Sequence, residues 1–156
     1  MRSRPSVYLG GIISGLTFKE CNEWREIAQK KLALYGIDGY SPLRGKEHLS
    51  DDTVLHKLGY EGNVMASQRG ITCRDRFDVL NSDVIIINLL GARSPSIGCS
   101  IEIGWANLSK KPIIAIMEAD GHNPHEHAML LECIDFRVET VDAAITVARK
   151  VLCCEL

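Results

Sequence analysis

Glu102 stands out in the sequence because it is the one carboxylate in a segment of small, apolar and aromatic residues, SIGCSIEIGWA (residues 96–106). Gly98 and Ala106 lie four residues before and after it, so a helix here would give Glu102 a face nearly free of side chains. Near the N-terminus of that helix, the helix dipole favours the ionised carboxylate. An ionised carboxylate on a bare face can act as a nucleophile or stabilise a cation. The simpler alternative is a glutamate that only complements the dipole.

A second carboxylate that could do chemistry is Asp75, in the segment RDRFD shortly before the most apolar stretch of the chain. An acid beside a leaving group can supply a proton, whereas a surface ion pair with Arg74 or Arg76 would contribute only about 0–1 kcal/mol. The residues alone leave both alternatives open. Asp78, one helical turn further on, is expected to be structural and to pair with Arg74.

Tyr8 lies in the first apolar run, SVYLGG, close to Gly10 and Gly11. Most strand tyrosines bury the ring and satisfy the hydroxyl locally, so a core position is the ordinary alternative. The two glycines favour a site, because a backbone without side chains lets a ligand approach closely. Tyr8, Gly10 and Gly11 are therefore candidates for one wall of a site.

Five apolar runs alternate with segments of helical periodicity, which predicts a doubly wound α/β sheet of about five parallel strands with helices on both faces. The run DVIIINLL is continuous and β-branched, as expected for a central parallel strand covered on both faces. A polar segment punctuated by glycines, residues 44–63, is expected to be a loop with a short helix. The predicted strands span residues 6–11, 37–43, 83–90, 110–117 and 135–140, and the predicted helices span 18–36, 71–82, 99–109 and 141–152.

Ligands of such sheets bind beyond the carboxyl ends of the strands. Three segments converge there: the glycines after the first strand, the start of the helix that contains Asp75, and the turn before Glu102. Helical periodicity over residues 71–82 places Phe77 and Leu80 on one face and the two interior aspartates on another.

The composition favours one domain whose partners are recognised locally. With 156 residues, 46% of them hydrophobic, the chain can bury one core, and we expect a single domain over residues 1–156. The net charge of −2 gives no broad field to attract a nucleic acid polymer or an anionic membrane. Six cysteines without C-x-x-C spacing indicate reduced thiols, and the glycine-interrupted start is unlike a signal peptide, so a cytoplasmic location is expected.

The segment GHNPHEHAML raises the question of a metal site. His122, His125 and His127 have the spacing H-x-x-H-x-H, which differs from the helical H-E-x-x-H pattern and lacks a further ligand. We therefore expect no metal and no other cofactor, and a surface turn shaped by Asn-Pro is the ordinary interpretation.

The ordered set of these segments resembles the nucleoside 2'-deoxyribosyltransferase family, which includes nucleoside 5'-monophosphate N-glycosidases. The resemblance runs from about Val7 to the closing helix and is carried by YLGG, RDRFDVLNSDVIIINLLGA, SIGCSIEIGWA and KKPIIAIME. Its most specific part is the G-x-x-x-E-x-G-x-A segment after a buried strand. The resemblance implies a flavodoxin-like sheet, in agreement with the alternation of strands and helices.

The resemblance also implies roles for the candidate residues. Glu102 would be the nucleophile, Asp75 the acid that contacts the base, and Tyr8 the residue that holds the nucleophile in position. Breaking a C1'–N bond builds positive charge on the sugar and negative charge on the base, so one carboxylate serves each side, as in retaining glycosidases. The substrate is then expected to contact residues without bulky side chains, namely Gly10, Gly11 and Gly98.

Ser96 bears on whether the substrate carries a phosphate. It stands six residues before Glu102, where the N-glycosidases of the family have a phosphate-contacting serine and the nucleoside transferases have an aspartate. An N-cap or turn hydroxyl is the alternative. The arginine that the N-glycosidases place after the strand-one glycines is missing, with Ser14 in its place, and Arg44 or Arg93 could substitute.

Asn123 bears on assembly. In the family, the loop after the fourth strand reaches into the neighbouring subunit's site, often with an asparagine near the sugar 5' position. Asn123 is the candidate here, with His125 behind it, which implies a homo-oligomer with sites near subunit interfaces. A surface turn is the alternative.

Residues and resemblance together predict an enzyme that transfers a 2-deoxyribosyl group between nucleobases through a covalent intermediate on Glu102. If water replaces the second base, the enzyme would instead be a hydrolytic N-glycosidase of (deoxy)nucleoside 5'-monophosphates. A third hypothesis is a nucleotide-binding module without turnover. The expected partners are a nucleoside or nucleotide and a free nucleobase, not a nucleic acid polymer or a membrane.

Overall fold

The computed structural model describes residues 4–154 and contains a sheet of five parallel strands. Their order, β2-β1-β3-β4-β5, is the flavodoxin-like order, whose switch point lies between β1 and β3. The doubly wound α/β fold predicted from the sequence is therefore confirmed. The strands are Ser6–Gly11 (β1), Asp38–Tyr40 (β2), Val84–Asn88 (β3), Ile113–Ile116 (β4) and Phe136–Val138 (β5).

Helices cover both faces of the sheet. Alternate residues of a strand point to opposite faces, so Leu9 packs with Leu32 on one face, while Tyr8 packs with Ile103 on the other. The first face is covered by α1 and α5 and the second by α2 and α3. The helices are Phe18–Ala33 (α1), Gln68–Asn81 (α2), Ile97–Leu108 (α3), Ala128–Leu131 (α4) and Val141–Val151 (α5).

Serine caps set the starts of the two helices that carry the candidate carboxylates. The Ser67 hydroxyl accepts a hydrogen bond from the Gly70 N–H at 3.0 Å, and α2 begins at Gln68 rather than at residue 71. The Ser96 hydroxyl accepts from the Cys99 N–H at 3.3 Å, and α3 begins before residue 99. Side-chain caps of this kind satisfy N–H groups that a helix leaves unpaired.

The segment after β2 differs from the prediction. Strand β2 has three residues, and residues 44–63 contain no helix, so the short helix expected there is wrong; a 3-10 turn, Val64–Ala66, follows instead. Isolated turns satisfy its backbone, including bonds from Lys46 to Leu43 and from Leu49 to Lys46. Leu43 and Leu55 pack against the start of α1, which fixes this loop over one side of the sheet's carboxyl edge.

Helix α2 exposes its apolar face and buries its acidic face. Phe77 is 64% exposed and Leu80 41%, whereas Asp75 and Asp78 are buried. The expected pairing of Asp78 with Arg74 is wrong, because the ion pair of Asp78 is with Arg44, at 2.9 Å. Buried charges on a helix need partners, and here the loop after β2 supplies them.

Among residues 4–154, none of the helices combines the length and the apolar character needed to cross a membrane.

Candidate active site

Tyr8 and Glu102 meet at the switch point of the sheet. The Tyr8 hydroxyl donates a hydrogen bond to Glu102 Oε1 at 2.8 Å. Tyr8 is fully buried, while Glu102, on the second turn of α3, is partly buried. The pairing follows from the fold, since Tyr8 points from β1 toward the face that α3 covers. The predicted contact between these two side chains is present, and the hydroxyl fixes one carboxylate oxygen.

Gly10 lets the other Glu102 oxygen lie against strand β1. A Cβ atom at Gly10 would lie 2.9 Å from Glu102 Oε2 and 2.4 Å from Ile87 Cδ1, so a side chain there would displace the carboxylate. At Gly11 a Cβ atom would instead lie 2.8 Å from the Asn88 carbonyl oxygen. Gly98 is exposed, with only one atom, 4.0 Å away, near its Cβ position. Substrate contact by all three glycines stays a prediction.

Asp75 is buried and oriented by Arg74. The Arg74 guanidinium donates to Asp75 Oδ1 from Nε at 3.2 Å and from Nη2 at 3.0 Å. It also donates to the Pro42 carbonyl at 2.7 Å and to the Arg44 carbonyl, so one side chain joins α2 to the loop after β2. Among residues 4–154, Asp75 Oδ2 has no hydrogen bond. That oxygen is therefore free to act on a ligand.

The environment makes Glu102 a weak acid. Burial raises its pKa to about 8, and the charge of Asp75 adds to this; the Tyr8 hydrogen bond, Arg25 and Lys46 act in the opposite direction. The helix dipole favours the ionised carboxylate by only about 0.3–1 kcal/mol at a helix end, so the effect of burial is larger here. Part of the Glu102 side chain is accessible to solvent, but its carboxylate contacts Tyr8 and lies against β1 at Gly10.

Asp75 is perturbed in the same direction. Burial raises its pKa above the usual value, while Arg74 and Lys46 oppose the rise. The charge of Asp75 also raises the pKa of Tyr8, after burial and Glu102. Carboxylates that influence each other titrate as a pair rather than singly. We call Glu102 and Asp75 the dyad, because the charge of Asp75 raises the Glu102 pKa.

Arg25 is a buried cation that the sequence analysis missed. It has no exposed surface, and its guanidinium donates to the carbonyls of Leu9 at 3.0 Å and Gly11 at 3.2 Å. Pairing of β1 with β2 ends at Tyr8, so Arg25 takes over carbonyls beyond the end of β2. The signal was available in the spacing, because Arg25 shares a helical face with the buried residues Cys21, Ala28 and Leu32.

Lys46 is a second cation that the sequence analysis missed. It lies in the loop after β2, is only 5% exposed, and lowers the pKa of both dyad carboxyls. A lysine between a glycine and a glutamate in a polar segment gives no sequence signal of burial.

Ser96 has a structural role at the start of α3. Its hydroxyl is the N-cap described above, and its N–H donates to His125 Nε2 at 2.7 Å. Two of the groups that would bind a phosphate at this helix start are therefore occupied. Contact between the Ser96 hydroxyl and a substrate stays a prediction. Of the arginines considered as substitutes, Arg44 pairs with Asp78 and Arg93 is exposed.

Asn123 is buried and bonded to its own chain. Its amide nitrogen donates to the Leu89 carbonyl at 2.8 Å and to Glu118 Oε2 at 2.6 Å. Its Oδ1 lies 2.9 Å from His125 Nδ1. The side chain therefore holds its own loop to the end of β3, and its action in a neighbouring subunit's site stays a prediction. Among residues 4–154, no group of three or more His, Cys, Asp or Glu residues is placed to hold a metal.

The His125 ring is held in one neutral tautomer, which leads to a prediction about acid stability. Nε2 accepts from the Ser96 N–H, so Nδ1 carries the proton toward Asn123. Burial lowers the His125 pKa. The unfolded chain therefore binds a proton at His125 more readily than the folded chain. The contribution of His125 to stability is fully present above about pH 6.5 and is lost as the pH falls below that value.

We expect the His125→Gln variant, which keeps an acceptor near the Nε2 position, to lose stability less steeply in acid. The difference in unfolding free energy between the two proteins should change by up to about 1.4 kcal/mol per pH unit below pH 6.5. Urea unfolding between about pH 7.5 and 5 measures it. Parallel curves for the two proteins would contradict the tautomer assignment.

Two open grooves lie away from the dyad. One, of about 880 Å³, is lined by residues of the 58–69 segment, and the other, of about 600 Å³, lies at the opposite end of the sheet beside Arg4 and Asp38. Neither contains Tyr8, Asp75 or Glu102. The dyad was located by its hydrogen bonds and electrostatics rather than by the size of a groove.

The sheet order and the tyrosine-held carboxylate dyad at the switch point define a flavodoxin-like α/β protein with a two-carboxylate site. The family model described as nucleoside 2-deoxyribosyltransferase matches residues 7–145. The chain therefore belongs to this family, as the sequence segments indicated.

Solved structures share the fold at low sequence identity. A 2-deoxyribosyltransferase from Leishmania mexicana is 14% identical, with a TM-score of 0.67 and coverage of 94% of this chain and 97% of that one. A CMP N-glycosidase from Clostridium botulinum is 16% identical, with a TM-score of 0.54 and coverage of 92% and 97%. A molybdenum cofactor carrier protein from Chlamydomonas reinhardtii is 17% identical, with a TM-score of 0.61 and coverage of 96% and 98%. No curated protein sequence matches the chain significantly.

Proposed function

We propose that the protein cleaves the N-glycosidic bond of a deoxynucleoside and transfers the 2-deoxyribosyl group to a second nucleobase. The observation that carries the proposal is the 2.8 Å hydrogen bond from Tyr8 to Glu102, in a site where Asp75 is electrostatically coupled to both residues. A binding protein has no need for a buried carboxylate pair, because an unpaired buried acid costs stability. Family membership supports the same class of reaction.

In the proposed mechanism, Glu102 attacks C1' while the bond from C1' to the base nitrogen breaks. The bonding electron pair moves to that nitrogen, and Asp75 gives the base its proton. The sugar remains bound to Glu102 as an ester. A second base then attacks C1', its proton passes to Asp75, and the Glu102 carboxylate is released, which restores the starting state.

The dyad must hold its proton on Asp75 when this reaction starts. In the free protein, burial and the charge of Asp75 raise the Glu102 pKa to about 8. In the reactive state the dyad therefore carries one proton, and this proton lies on Asp75. A nucleobase bound at Asp75 Oδ2 favours the transfer of the proton to Asp75. Tyr8, Arg25 and Lys46 all favour the ionised form of Glu102.

Hydrolysis is the second candidate, because water can attack the same intermediate. The structural similarity to a CMP N-glycosidase favours considering a nucleoside 5'-monophosphate as substrate. Against a phosphate at the start of α3, the N–H groups of Ser96 and Cys99 are both already bonded within the chain. Transfer from a nucleoside is therefore the function that the geometry supports better.

The third hypothesis is a binding module without turnover. The structural similarity to a cofactor carrier protein is the observation in its favour. Fold likeness at this identity does not separate carriers from enzymes. The dyad supports the enzymatic hypotheses, because two carboxyl groups with raised pKa values can transfer protons in a reaction.

A homo-oligomer remains part of the proposal. Ile97 is 78% exposed, Leu108 84% and Phe77 64%, so α2 and α3 present apolar side chains at the surface. Such a surface is typical of protein interfaces.

A cytoplasmic location also stays a prediction.

One experiment separates the three functions. The protein is incubated with a deoxynucleoside and a second free base, and in parallel with a deoxynucleoside 5'-monophosphate alone. Exchange product supports transfer, and free base with sugar phosphate supports hydrolysis. Intact mass measurement after reaction with a 2-fluoro-2-deoxyarabinonucleoside should show a sugar adduct that is absent from the Glu102→Ala variant. No adduct, together with no base release from panels of nucleosides and of nucleoside 5'-monophosphates, would reject both enzymatic functions.

The Tyr8→Phe variant should keep substrate affinity and lose turnover. A hydrogen bond to a charged group contributes about 1.5–3 kcal/mol, so kcat should fall about 10- to 100-fold. The Glu102 pKa should also rise, because the Tyr8 hydrogen bond lowers it. Steady-state kinetics and the pH profile measure both effects. A change in KM with unaltered kcat would show that Tyr8 does not act through Glu102.

A further inference from the structure

Lys46 is fixed in place by its backbone. Its N–H donates to the Leu43 carbonyl at 3.0 Å, and its carbonyl accepts from the Leu49 N–H at 3.0 Å. Leu43 is packed against Phe18 and Cys21 in the small core at the start of α1. The side chain of Lys46 leaves this anchored turn toward the interior, where it is 5% exposed.

The Lys46 ammonium group has no partner in the described part of the chain. Between residues 4 and 154, no carboxylate lies within 4.0 Å of its Nζ, and no hydrogen bond from it is formed. Arg74, by contrast, is held by Asp75 and by backbone carbonyls. Because the residue is only 5% exposed, its ammonium group keeps little of its hydration, and a ligand that supplies an acceptor would replace the water that it has lost.

The turn that carries Lys46 lies against Arg74, the partner of Asp75. Arg74 donates to the Arg44 carbonyl, and a Cβ atom at Gly45 would lie 3.3 Å from Arg74 Nη1. Burial lowers the Lys46 pKa; the charge of Asp75 is the strongest influence in the opposite direction, and Arg74 and Arg25 add to the lowering. Lys46 also lowers the pKa of Glu102, but it is the last of the influences there. Together with the contacts of Arg44 and Gly45 with Arg74, these couplings put Lys46 on the side of the acid that would serve the base.

We propose that Lys46 donates a hydrogen bond to an exocyclic oxygen of the nucleobase and stabilises the negative charge that the base acquires as it leaves. This inference rests on the proposed function. An ammonium group has three hydrogen-bond donors and no acceptor. It can therefore donate to a carbonyl oxygen but cannot bind an amino group at the same position. The site should therefore prefer oxo-bases, such as 6-oxopurines, to their amino counterparts. The proton of Lys46 stays on Lys46, and Asp75 remains the proton donor.

The test compares the wild type with Lys46→Met, which is similar in length and neutral, and with Lys46→Arg, which keeps the charge. Lys30→Met, on the exposed face of α1, is the matched control. The probes are two pairs of free bases, hypoxanthine with adenine and uracil with cytosine, titrated calorimetrically, and the corresponding deoxynucleosides in a base-release assay.

For Lys46→Met we expect hypoxanthine or uracil to bind at least tenfold more weakly, with adenine and cytosine changed less than threefold. Base release should fall most for the oxo-base of each pair and should depend more steeply on the acidity of the leaving base. Lys46→Arg should retain most of the preference, and Lys30→Met should match the wild type. Thermal unfolding of each variant checks its fold, and Lys46→Arg provides the comparison if Lys46→Met does not fold.

Several results would overturn the inference. These are an equal loss for both bases of a pair, no base binding by the wild type, or an effect confined to 5'-monophosphates, which would assign Lys46 to a phosphate. The proposed function fails separately. If the wild type shows no exchange or base release, but Lys46→Met still loses oxo-base binding, the reaction is wrong and the base contact stands.

Discussion

The Glu102→Gln variant is expected to lose at least about 10³-fold in base exchange and to be more stable than the wild type at alkaline pH. Glutamine keeps the shape of the side chain and its contact with Tyr8, but it cannot form the ester with C1', so the covalent route is closed. Loss of a nucleophile from a unit that acts together removes most of the catalysis. Rapid-quench measurement of base release, together with exchange under saturating substrate, measures the loss.

The gain in stability follows from the raised pKa of Glu102. Its folded-state pKa is about 8, whereas a glutamate in an unfolded chain titrates near about 4.3. Its contribution to stability is therefore complete below about pH 4 and is lost as the pH rises through about 8. Glutamine removes that loss, so the variant should gain on the order of 2 kcal/mol at pH 8, discounted for the partial exposure of the side chain.

The comparison needs denaturation curves at about pH 5 and pH 8 for the wild type, Glu102→Gln and the control Glu132→Gln, whose side chain is exposed. For a domain of this size, 2 kcal/mol corresponds to a rise in Tm of about 4–8 °C. A variant that retained a tenth of wild-type turnover would exclude Glu102 as the nucleophile. A stability difference that did not grow between the two pH values would contradict the raised pKa.

Much of the fold and part of the site could be predicted from the sequence, because both depend on periodic or local signals. The β-branched run of β3 can only be a strand covered on both faces, and the alternation of Leu9 with Tyr8 on β1 sends one to each core. That alternation brings Tyr8 to the face of Glu102. The glycines at the end of β1 mark where the backbone and the Glu102 carboxylate lie close together.

The remaining features depend on contacts between segments far apart in sequence. Phe77 lies outside and Asp75 inside, against their polarity, because the loop after β2 folds over α2 and offers carbonyls to Arg74. The burial of Lys46 depends on the same loop. Its isolated turns show no hydrophobic periodicity from which burial could be predicted. The raised pKa of Glu102 could not be predicted from the sequence for a related reason: the dipole is a property of one helix, whereas burial and the charge of Asp75 arise from the assembled fold.

Asp75→Asn is expected to change the shape of the pH profile as well as the rate. In the wild type, kcat/KM should be bell-shaped, because only the dyad with one proton is active. The acid limb reports the second protonation of the dyad, and the alkaline limb near about pH 8 reports loss of its last proton. Asparagine removes both the acid that serves the base and the charge that raises the Glu102 pKa.

The Asp75→Asn variant should therefore lose about 10²- to 10⁴-fold in kcat/KM, and its profile should rise to a plateau instead of falling above about pH 8. The Glu102 pKa should fall, although burial, its larger cause, remains. Bases that leave readily as anions should be affected least, since they need the proton least. The matched control is Asp78→Asn, a buried carboxylate of the same helix that pairs with Arg44; whatever its effect on stability, it should keep the bell shape. An alkaline limb that persisted in Asp75→Asn would mean that the proton lost there belongs to another group, and the two-carboxylate mechanism would fail with it.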